Sequence, residues 1–442
     1  MPERRLIALV ASLALLVVAF VMLGPGKARP VQAVRLYGGP LPEGAREASF
    51  RLVAIEEDCG FRAKVAGAKL RVVAEGEGTA RWEGATGPDG TAEVRLGWEQ
   101  APTGPVRLRV TNEEGKFLAA GELPRQVEGW GEGEGRPAEL SGNRTGEIAL
   151  RVAVVRGLLA APFLERVLID ASLRGAPAAQ ARLRVAATGA RLGQAGEEAS
   201  LVTDAMGRAV LEVAPLSHAP ELFVEAKLGE AEGRFEAVLP VLPGAMWLEP
   251  AEAGVAKRKI VSPVERKVAY VAVATPRVRL FGAAVPLVPD GRGLAEGVLD
   301  LGPVLPLLRE EPHAVLMLAS SEDFEGAGTA AWPLWTEADP FALVVRPIGD
   351  VLLLDGLPEA RAMEAKRRRR AALWAGAALG VATVLESLLL VRAARRGRLA
   401  RANGIEADLV RGAGPTLALA IAATLLALAA VGFVVLLRAV GS

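Results

Sequence analysis

A turn followed by an alternating strand limits the possible folds of this chain more than any other stretch. The turn is Thr203–Gly207, and the strand after it carries apolar side chains at every second position. Those positions are Ala209, Leu211 and Val213. Period-two alternation places one strand face in a core and the other in water, and glycine tolerates the backbone angles of tight turns. The stretch therefore predicts a half-buried β-strand that begins at a tight turn.

The same arrangement occurs 117 residues earlier, the difference between positions 203 and 86. Here Thr86 stands four residues before Gly90, as Thr203 stands four residues before Gly207. The apolar positions of the strand that follows are Ala92, Val94 and Leu96. We expect each threonine to bond to nearby backbone groups. The two turns therefore indicate two copies of one β domain.

Further strands match between the copies in the same order. Ala181–Val185 corresponds to Ala68–Val72, and a closing hairpin follows in both copies. Several matched elements in one order indicate an internal repeat. We predict one β-sandwich over residues 31–125 and a second over 146–243, joined by a Gly/Glu-rich linker or long exposed loop at 126–145. The expected core positions include Leu70, Val94, Leu183 and Leu211.

These motifs resemble bacterial immunoglobulin-like domains of the macroglobulin and invasin types. The resemblance rests on the Ala-x-Leu-x-Val strand, the Thr-Asp-x-x-Gly-x-Ala turn and the closing hairpin, over roughly Val31–Pro124 and Gly146–Pro243. It implies an immunoglobulin-like fold, with adhesion or scaffolding as the associated role. The Cys-Gly-Glu-Gln thioester of full macroglobulins is absent, and the segment starting at Cys59 (Cys-Gly-Phe-Arg) does not replace it. The resemblance therefore implies no protease-trapping chemistry.

Residues 244–356 remain β-like but depart from the repeat. Val268–Val273 and Ala314–Leu318 are candidate strands, and Pro289–Gly291 echoes the Pro-Asp-Gly turn of the first copy. This region is predicted to be a divergent third β domain. The predicted fold class is mainly β: tandem immunoglobulin-like β-sandwiches with one N-terminal and two C-terminal transmembrane helices.

Three apolar runs predict the membrane-spanning helices. The first follows Arg4 and Arg5, within residues 1–30, and is long for a cleaved export signal, which favours a signal-anchor helix. A small-residue segment at Val31–Ala33 keeps cleavage open as the alternative. The other runs, 371–391 and 415–438, are long enough to span a bilayer.

Basic residues around these runs predict the topology. With Arg4 and Arg5 inside, the β domains are extracytoplasmic and the arginine-rich loop 392–414 is cytoplasmic, as the positive-inside tendency requires. A juxtamembrane helix, 357–370, then places a basic cluster outside, where we expect it to contact anionic headgroups or an acidic partner. The cluster consists of Lys366, Arg367, Arg368, Arg369 and Arg370. The predicted location is the bacterial inner membrane.

The spans also carry small and acidic residues with possible roles. Gly376 and Gly380 form a small-xxx-small face, and Ala418 and Ala422 form a similar stripe on the last span. Such faces allow close packing of helices in lipid, so we predict that the two spans pack there. Glu386 lies near the Arg392 end of its span, which favours contact with the interface or with an arginine over a role inside the membrane.

The sequence points to no catalytic, cofactor-binding or metal site. The only cysteine, Cys59, is expected to be buried and inert, and His218 and His313 are expected to lie in loops without convergent partners. Glu56–Asp58 and Ser320–Asp323 are interpreted as solvated polar loops rather than cation sites. A formal net charge of +1 gives no reason to expect nucleic acid as a partner.

The function predicted from the sequence is that of a non-enzymatic, membrane-anchored envelope protein. Its exported domains would act as an interaction or scaffold module, with membrane lipids and other envelope or membrane proteins as partners. One alternative is an accessory or sensor subunit of a membrane transporter or envelope enzyme, in which the helices make the working contact. A second alternative is a hydrolase with a site near His313, Glu310 and Glu311.

Overall fold

The chain is mainly β, with several sheets and a smaller helical part, which confirms the main part of the predicted fold class. The computed structural model describes residues 2–24, 27–76, 78–194, 196–250, 255–311, 313–326, 328–334 and 339–402, and positions 423, 427, 430–432 and 434. These residues form two compact units. The helical unit takes in the described parts of Met1–Gln32, Glu56–Arg62 and Leu357–Ser442. The β unit takes in those of Ala33–Ile55 and Ala63–Gly356.

The described helices are α1 (Pro2–Leu23), α2 (Leu305–Glu310) and α3 (Leu357–Ala402), with a 3-10 turn at Gly302–Val304. One of them, over Leu357–Leu389, is long and apolar enough to cross a membrane, whereas the apolar part of α1, Leu9–Val21, is shorter. The described residues thus contain one candidate span, whereas the sequence predicted three for the chain. The predicted span 415–438 lies almost wholly outside the described residues.

Helix α3 continues beyond the apolar run that was predicted to end it. Residues 392–402, expected to begin a cytoplasmic loop, are helical, and the remainder of that predicted loop lies outside the described residues. Arginine, alanine and leucine dominate this stretch, and all three are strong helix formers. A basic composition identified the polar segment correctly but did not show where the helix ends.

Two sheets enclose the core of the first sandwich. Its strands are β1 (Val31–Gly38), β2 (Glu47–Asp58), β3 (Phe61–Lys64), β4 (Lys69–Glu75), β5 (Ala80–Ala85), β6 (Thr91–Gly97), β7 (Arg107–Asn112) and β8 (Phe117–Glu122). One sheet contains β1-β2-β3 with β6 also paired to β2, and the other has the order β5-β4-β7-β8. The inward residues form one apolar cluster, in which Leu70 and Val94 are buried as predicted.

The second sandwich follows a short connecting strand, β9 (Arg136–Pro137). Its strands are β10 (Asn143–Gly146), β11 (Ile148–Val154), β12 (Glu165–Leu173), β13 (Ala176–Pro177), β14 (Arg182–Thr188), β15 (Ala190–Leu192), β16 (Glu198–Val202), β17 (Arg208–Pro215), β18 (Glu221–Leu228) and β19 (Ala231–Val238). The sheets have the orders β10-β19-β18-β14-β16 and β11-β12-β17-β15, with β13 on β12. Leu183 and Leu211 are buried in the core, which confirms their prediction.

The third β region is also a pair of sheets around one core. Its strands are β20 (Trp247–Leu248), β21 (Lys257–Ser262), β22 (Val268–Ala274), β23 (Arg279–Pro286), β24 (Val288–Pro289), β25 (Ala295–Asp300), β26 (Val315–Ala319) and β27 (Ala330–Pro333). The sheets have the orders β20-β21-β25-β24 and β23-β22-β26-β27. Trp332 is fully buried between them, and its indole N–H donates to the carbonyl oxygen of Met246 at 3.1 Å.

The two repeated threonines make the same pair of hydrogen bonds. The Thr203 hydroxyl donates to the Ala178 carbonyl at 2.6 Å and accepts from the Ala181 N–H at 2.9 Å. The Thr86 hydroxyl donates to the Val65 carbonyl and accepts from the Ala68 N–H at the same two distances. Both threonines are buried. A buried hydroxyl must be paired, so this position fixes where one strand ends and the next sheet begins.

Glycine is required after each threonine for a steric reason. Gly207 has φ of +73°, and a Cβ there would lie 2.4 Å from the carbonyl oxygen of Ala171. Gly90 has φ of +76°, and a Cβ there would lie 2.6 Å from the Cβ of Lys64. The left-handed angle and the close approach both exclude a side chain. The repeated motif is therefore a crossing point of strands as well as a turn.

The first sandwich is completed by a strand from the far end of the β unit. Two further strands, β28 (Val344–Val345) and β29 (Val351–Asp355), follow the third core, and β29 pairs antiparallel with β1. Thus β29, within the range 244–356 predicted as one domain, belongs by pairing to the first sandwich. Gly356 follows directly, and a Cβ there would lie 2.2 Å from the Leu118 carbonyl oxygen. The chain can leave this sheet for α3 only through a glycine.

The Gly/Glu-rich segment, residues 126–145, is partly buried, in contrast to the exposed loop expected from its composition. Trp130 is 7% exposed, lies against Gly39 and donates from its indole N–H to the Thr275 carbonyl at 3.2 Å. Downstream, β9 pairs with β28. One aromatic side chain thus holds this segment between the first and third sandwiches. A composition dominated by glycine and glutamate did not reveal that anchor.

Candidate interaction surfaces and the charged junction

A buried ion network joins the first sandwich to the third. Arg51 of β2 and Glu93 of β6 are cross-strand partners, and the Arg51 Nε lies 2.5 Å from a Glu93 carboxylate oxygen. The Arg51 guanidinium also donates to the Val271 carbonyl at 2.9 Å and stacks over the ring of Tyr270 at 4.9 Å. Its side chain is fully buried. Arginine is suited to this position because its planar group donates several bonds and stacks on aromatic rings.

Arg279 of β23 extends the network to Asp350. Its guanidinium holds both oxygens of Asp350, at 2.7 and 3.0 Å, and both side chains are almost completely buried. It also donates to Glu93 at 3.0 Å and to the Ser49 hydroxyl at 2.7 Å. The two arginines and the two carboxylates, Glu93 and Asp350, balance in charge. Glu93 accepts hydrogen bonds from both arginines. Removal of any member would leave an uncompensated charge in the interior.

The network predicts an acid-sensitive contribution to stability. Burial opposes the ionised form of Glu93, but Arg279 and Arg51 together hold its pKa below the ordinary value of 4.5. A carboxyl group with a lowered folded-state pKa stabilises the fold above its unfolded pKa. That stabilisation is lost as the pH falls below about 4.5 toward the folded-state pKa.

We therefore expect Glu93→Gln to lower stability at neutral pH and to flatten its decline on acidification. The measurement is thermal unfolding of the detergent-solubilised protein between about pH 3 and pH 7. Glu113→Gln is the matched control, since Glu113 pairs with Lys69 at the surface, where both side chains are about two-thirds exposed. If the unfolding temperature of Glu93→Gln falls as steeply on acidification as that of the wild type, the role assigned to Glu93 is wrong.

A second buried pair joins the second sandwich to the third. Arg156 forms a short, buried ion pair with Glu165 and donates to the Leu248 carbonyl at 2.6 Å. Its guanidinium also lies 4.3 Å from the centre of the Trp332 ring. Each repeated sandwich is thus tied to the third by a desolvated arginine. The three sandwiches therefore form one compact unit rather than three independent domains.

Two strand edges near these junctions, those of β1 and β11, are covered by other segments. The free side of β1 is taken by β29. The free side of β11 is taken by residues 138–140, where the Leu140 N–H donates to the Val152 carbonyl and the Val154 N–H donates to the Ala138 carbonyl. Covered edges cannot pair with another chain. The edges that remain open are the candidates for binding.

Two equivalent strands, β5 and β16, stand at open ends of their sheets in the described part of the chain. In the second sandwich, the Thr203 N–H donates to the Ala181 carbonyl, and the Ala187 N–H donates to the Glu197 carbonyl. Antiparallel ladders alternate, so the backbone groups of Ser200 point away from the sheet. In the first sandwich the Thr86 N–H donates to the Ala68 carbonyl, and Glu83 occupies the same outward position. Ser200 lies three residues before Thr203, and Glu83 lies three residues before the equivalent Thr86.

A shallow groove lies beside β16 on the outer face of its sheet. Its cavity volume is about 490 Å³, and the cross-strand neighbours that line it include Arg182, Lys227 and Glu232. Lys227 pairs with Glu232 at 2.8 Å, while Val202 at the rim is 56% exposed. A peptide added along β16 would meet alternating charges and one apolar side chain. Such a surface favours an extended peptide segment over a small apolar ligand.

Packing of Gly376 and Gly380 against the span 415–438 stays a prediction, because that span lies almost wholly outside the described residues. Gly376 and Gly380 are exposed, and a Cβ on either would meet no atom of the described residues within 4 Å. The buried face of α3 is instead formed by Ala372, Ala375 and Leu379, which pack against Val18 of α1. Helical spacing puts this face one position away from the glycine stripe. Ala418 and Ala422, the proposed partners of the glycines, lie outside the described residues.

Other sequence-predicted positions differ in outcome. Cys59 was expected to be buried but is exposed, because β2 continues to Asp58 and leaves Cys59 at the hairpin turn with φ of +48°. Glu386 was expected to reach the interface or an arginine, yet it is 1% exposed, and its Oε1 has no hydrogen-bond partner among the described residues. His218 and His313 are exposed in connecting segments.

The acidic segment Glu56–Asp58 is held by side chains of the helical unit. Glu57 bonds to Arg361 of α3 at 2.7 Å and to Arg62 at 2.8 Å. Hydrogen bonds from these two arginines lower the pKa of Glu57 to about 2. The carboxylate is therefore occupied by cationic partners. Within the described ranges no group of three or more His, Cys, Asp or Glu side chains is arranged to hold a metal ion.

The chain has structural neighbours among bacterial immunoglobulin-like β-sandwich proteins, as its motifs indicated. Invasin, a bacterial integrin-binding protein, is 12% identical, with 74% of this chain and 60% of that chain covered and a TM-score of 0.18. Escherichia coli alpha-2-macroglobulin is 14% identical over 69% of this chain and 32% of that chain, at 0.19. The Yersinia pseudotuberculosis adhesin InvE is 12% identical over 56% and 72%, at 0.17.

These similarities concern domain type and carry no argument about ligand or activity. The chain spans about 60% of the invasin chain and 32% of the macroglobulin chain that it matches. No family model and no curated protein matches it. The case for a function therefore rests on the surfaces of this chain itself.

Proposed function

We propose that this protein is a non-enzymatic, membrane-anchored module of the bacterial cell envelope that binds partner proteins through its sandwiches. The supporting observation is the pair of equivalent open edges, β5 and β16, on sandwiches that buried arginines hold together. An open edge offers backbone donors and acceptors to an extended peptide, and side chains beside it select the sequence. The buried arginine pairs keep the two edges within one compact unit.

Membrane anchoring is the second part of the proposal. α3 follows β29 after one glycine and contains the stretch long and apolar enough to span a bilayer. The basic run before the first apolar segment suits a cytoplasmic N-terminus. The sandwiches then lie on the extracytoplasmic side of the inner membrane. This arrangement presents both open edges to other envelope proteins.

The test compares proteins that co-purify from membranes with edge variants of the full-length chain. Ser200→Pro with Glu83→Pro removes the outward N–H groups from both edges while leaving the inward ladder bonds in place. Ser200→Ala with Glu83→Ala is the matched control because it keeps both N–H groups. We expect the proline pair to lower partner recovery by about thirtyfold, because two hydrogen bonds to the bound peptide, worth about 1 kcal/mol each, are lost and the added rings crowd the edges.

The alternative function, an accessory or sensor subunit of a transporter or enzyme complex, predicts a different result. Its contacts would be made by the helices, so a chain that lacks 31–350 would retain the same partners. Equal recovery by the wild type, the proline pair and the alanine pair would contradict binding at the edges. Loss of partners in the alanine pair as well would assign binding to side chains rather than to the backbone.

A further inference from the structure

A crevice on the helical unit combines cations with an apolar wall. It has a volume of about 460 Å³. Lys366, Arg367 and Arg370 line it, together with apolar residues that include Ala371 and Trp374. Val21 of α1 contributes to the same wall, so the crevice lies between two packed helices. We call this feature the basic crevice.

The position of the basic crevice matches the boundary of an apolar helix. Its cations come from the last turns before the apolar run that starts at Ala371, and Trp374 stands one turn further on. Trp374 is 73% exposed, although its ring is large and apolar. Exposed tryptophan beside a basic cluster is typical of the level at which lipid headgroups meet acyl chains. The cationic residues and the apolar residues therefore follow one another along α3 as the headgroup and the acyl chains do in a phospholipid.

One cation of the basic crevice is held in place by neighbours. The Arg367 guanidinium bonds to both carboxylate oxygens of Glu364, at 2.6 and 2.8 Å, and donates to the Lys27 carbonyl at 2.6 Å. These bonds fix its orientation and neutralise much of its charge. Among the described residues, no ion pair involves Lys366 or Arg370, and both are exposed. Two cations thus stand beside an ordered guanidinium with charge available to a ligand.

We propose that the basic crevice binds an anionic phospholipid, with the phosphate at Lys366 and Arg370 and an acyl chain against Ala371 and Trp374. The inference rests on the proposed membrane anchoring and names its lipid contact. The phosphate complements the two cations, and the apolar wall distinguishes a lipid from a soluble anion. An acidic partner protein would match the cations alone and would leave Trp374 without a function.

The test measures lipid retention by the full-length protein in nanodiscs that contain phosphatidylglycerol and phosphatidylcholine. Native mass spectrometry of the released protein reports which lipid stays bound. For Lys366→Gln with Arg370→Gln we expect the preference for phosphatidylglycerol to fall about thirtyfold, from about 1 kcal/mol for each basic residue. Arg81→Gln with Arg109→Gln is the matched control, since both arginines are exposed on the first sandwich.

The charge-conserving pair Lys366→Arg with Arg370→Lys should keep the wild-type preference and shows that the variants are folded. Equal retention of both lipids by the wild type, or an unchanged preference in the glutamine pair, would overturn the inference. Alkaline carbonate washing of membranes separates this failure from failure of the proposed function. A protein that washes off is not anchored, whereas one that remains but shows no lipid preference refutes the lipid site alone.

Discussion

Asp350→Ala should destabilise the β unit by about 3–5 kcal/mol, among the largest effects of any single substitution in this protein. Asp350 is completely buried and receives two bonds from Arg279, whose side chain is 1% exposed. The substitution leaves Arg279 with only Glu93 and Ser49 as partners, while Glu93 must also satisfy Arg51. An excess positive charge then remains in the interior, where water cannot solvate it. Urea denaturation of the detergent-solubilised chain measures the loss.

Two comparisons show whether the loss comes from an unpaired charge. Glu113→Ala removes one member of an exposed pair with Lys69 and should cost less than about 1 kcal/mol. Arg279→Met combined with Asp350→Leu removes both charges and should recover much of the stability lost in Asp350→Ala. If the double variant is less stable than Asp350→Ala, packing rather than charge balance would explain the effect. The network would then be a consequence of the junction rather than its stabilising element.

The parts of the fold that could be predicted from the sequence are those with local patterns. Alternation identified the strands that carry Leu70, Leu183, Val94 and Leu211, all of which are buried. The threonine turns were recognised because each needs a glycine four residues later, and their hydroxyl bonds follow the expected local chemistry. Period-two patterns and turn residues act over a few positions, so a single sequence can reveal them.

The features that could not be predicted depend on contacts between distant segments. Arg51 lies between the inward residues Phe50 and Leu52 of β2, and such alternation is typical of an exposed polar position, but the third sandwich covers Arg51 and buries it fully. The return of β29 to β1 joins residues more than 300 positions apart, and no pattern in β29 identifies its partner. Trp130 is buried for the same reason. In each case a distant segment supplies the environment of the residue.

The helices show the same limit. The small-xxx-small pattern predicted that Gly376 and Gly380 pack against the span 415–438, which stays a prediction, while it gave no sign that α1 packs on Ala375 and its neighbours. Small residues are so frequent in this helix that the pattern does not distinguish one face from another. The basic cluster, in contrast, was found from composition alone. Its partners Glu364 and Lys27 could be identified only in the folded chain.

The exported location of the sandwiches is a prediction with an all-or-none result, because each domain lies on one side of the membrane or the other. Arg4 and Arg5 favour a cytoplasmic start, and the arginine-rich segment after residue 391 favours a cytoplasmic end. Arg367 of α3 donates to the Lys27 carbonyl, which follows α1, so the end of α1 and the start of α3 lie together. The basic cluster at 366–370 must then share the side of the sandwiches. Long domains cross membranes with little regard to charge, and anionic headgroups can accommodate the cluster.

The single cysteine provides the most direct measurement of this central claim. Cys59 is exposed at a hairpin turn, so a membrane-impermeant maleimide should label it in intact spheroplasts without lysis. Cys59→Ser, which removes the single cysteine of the chain, is the negative control for labelling. Asn403→Cys in that background places the only thiol in the predicted cytoplasmic loop, and should react only after lysis. Labelling of Cys59 only after lysis, together with labelling of the Asn403→Cys variant in intact spheroplasts, would contradict the exported interaction module.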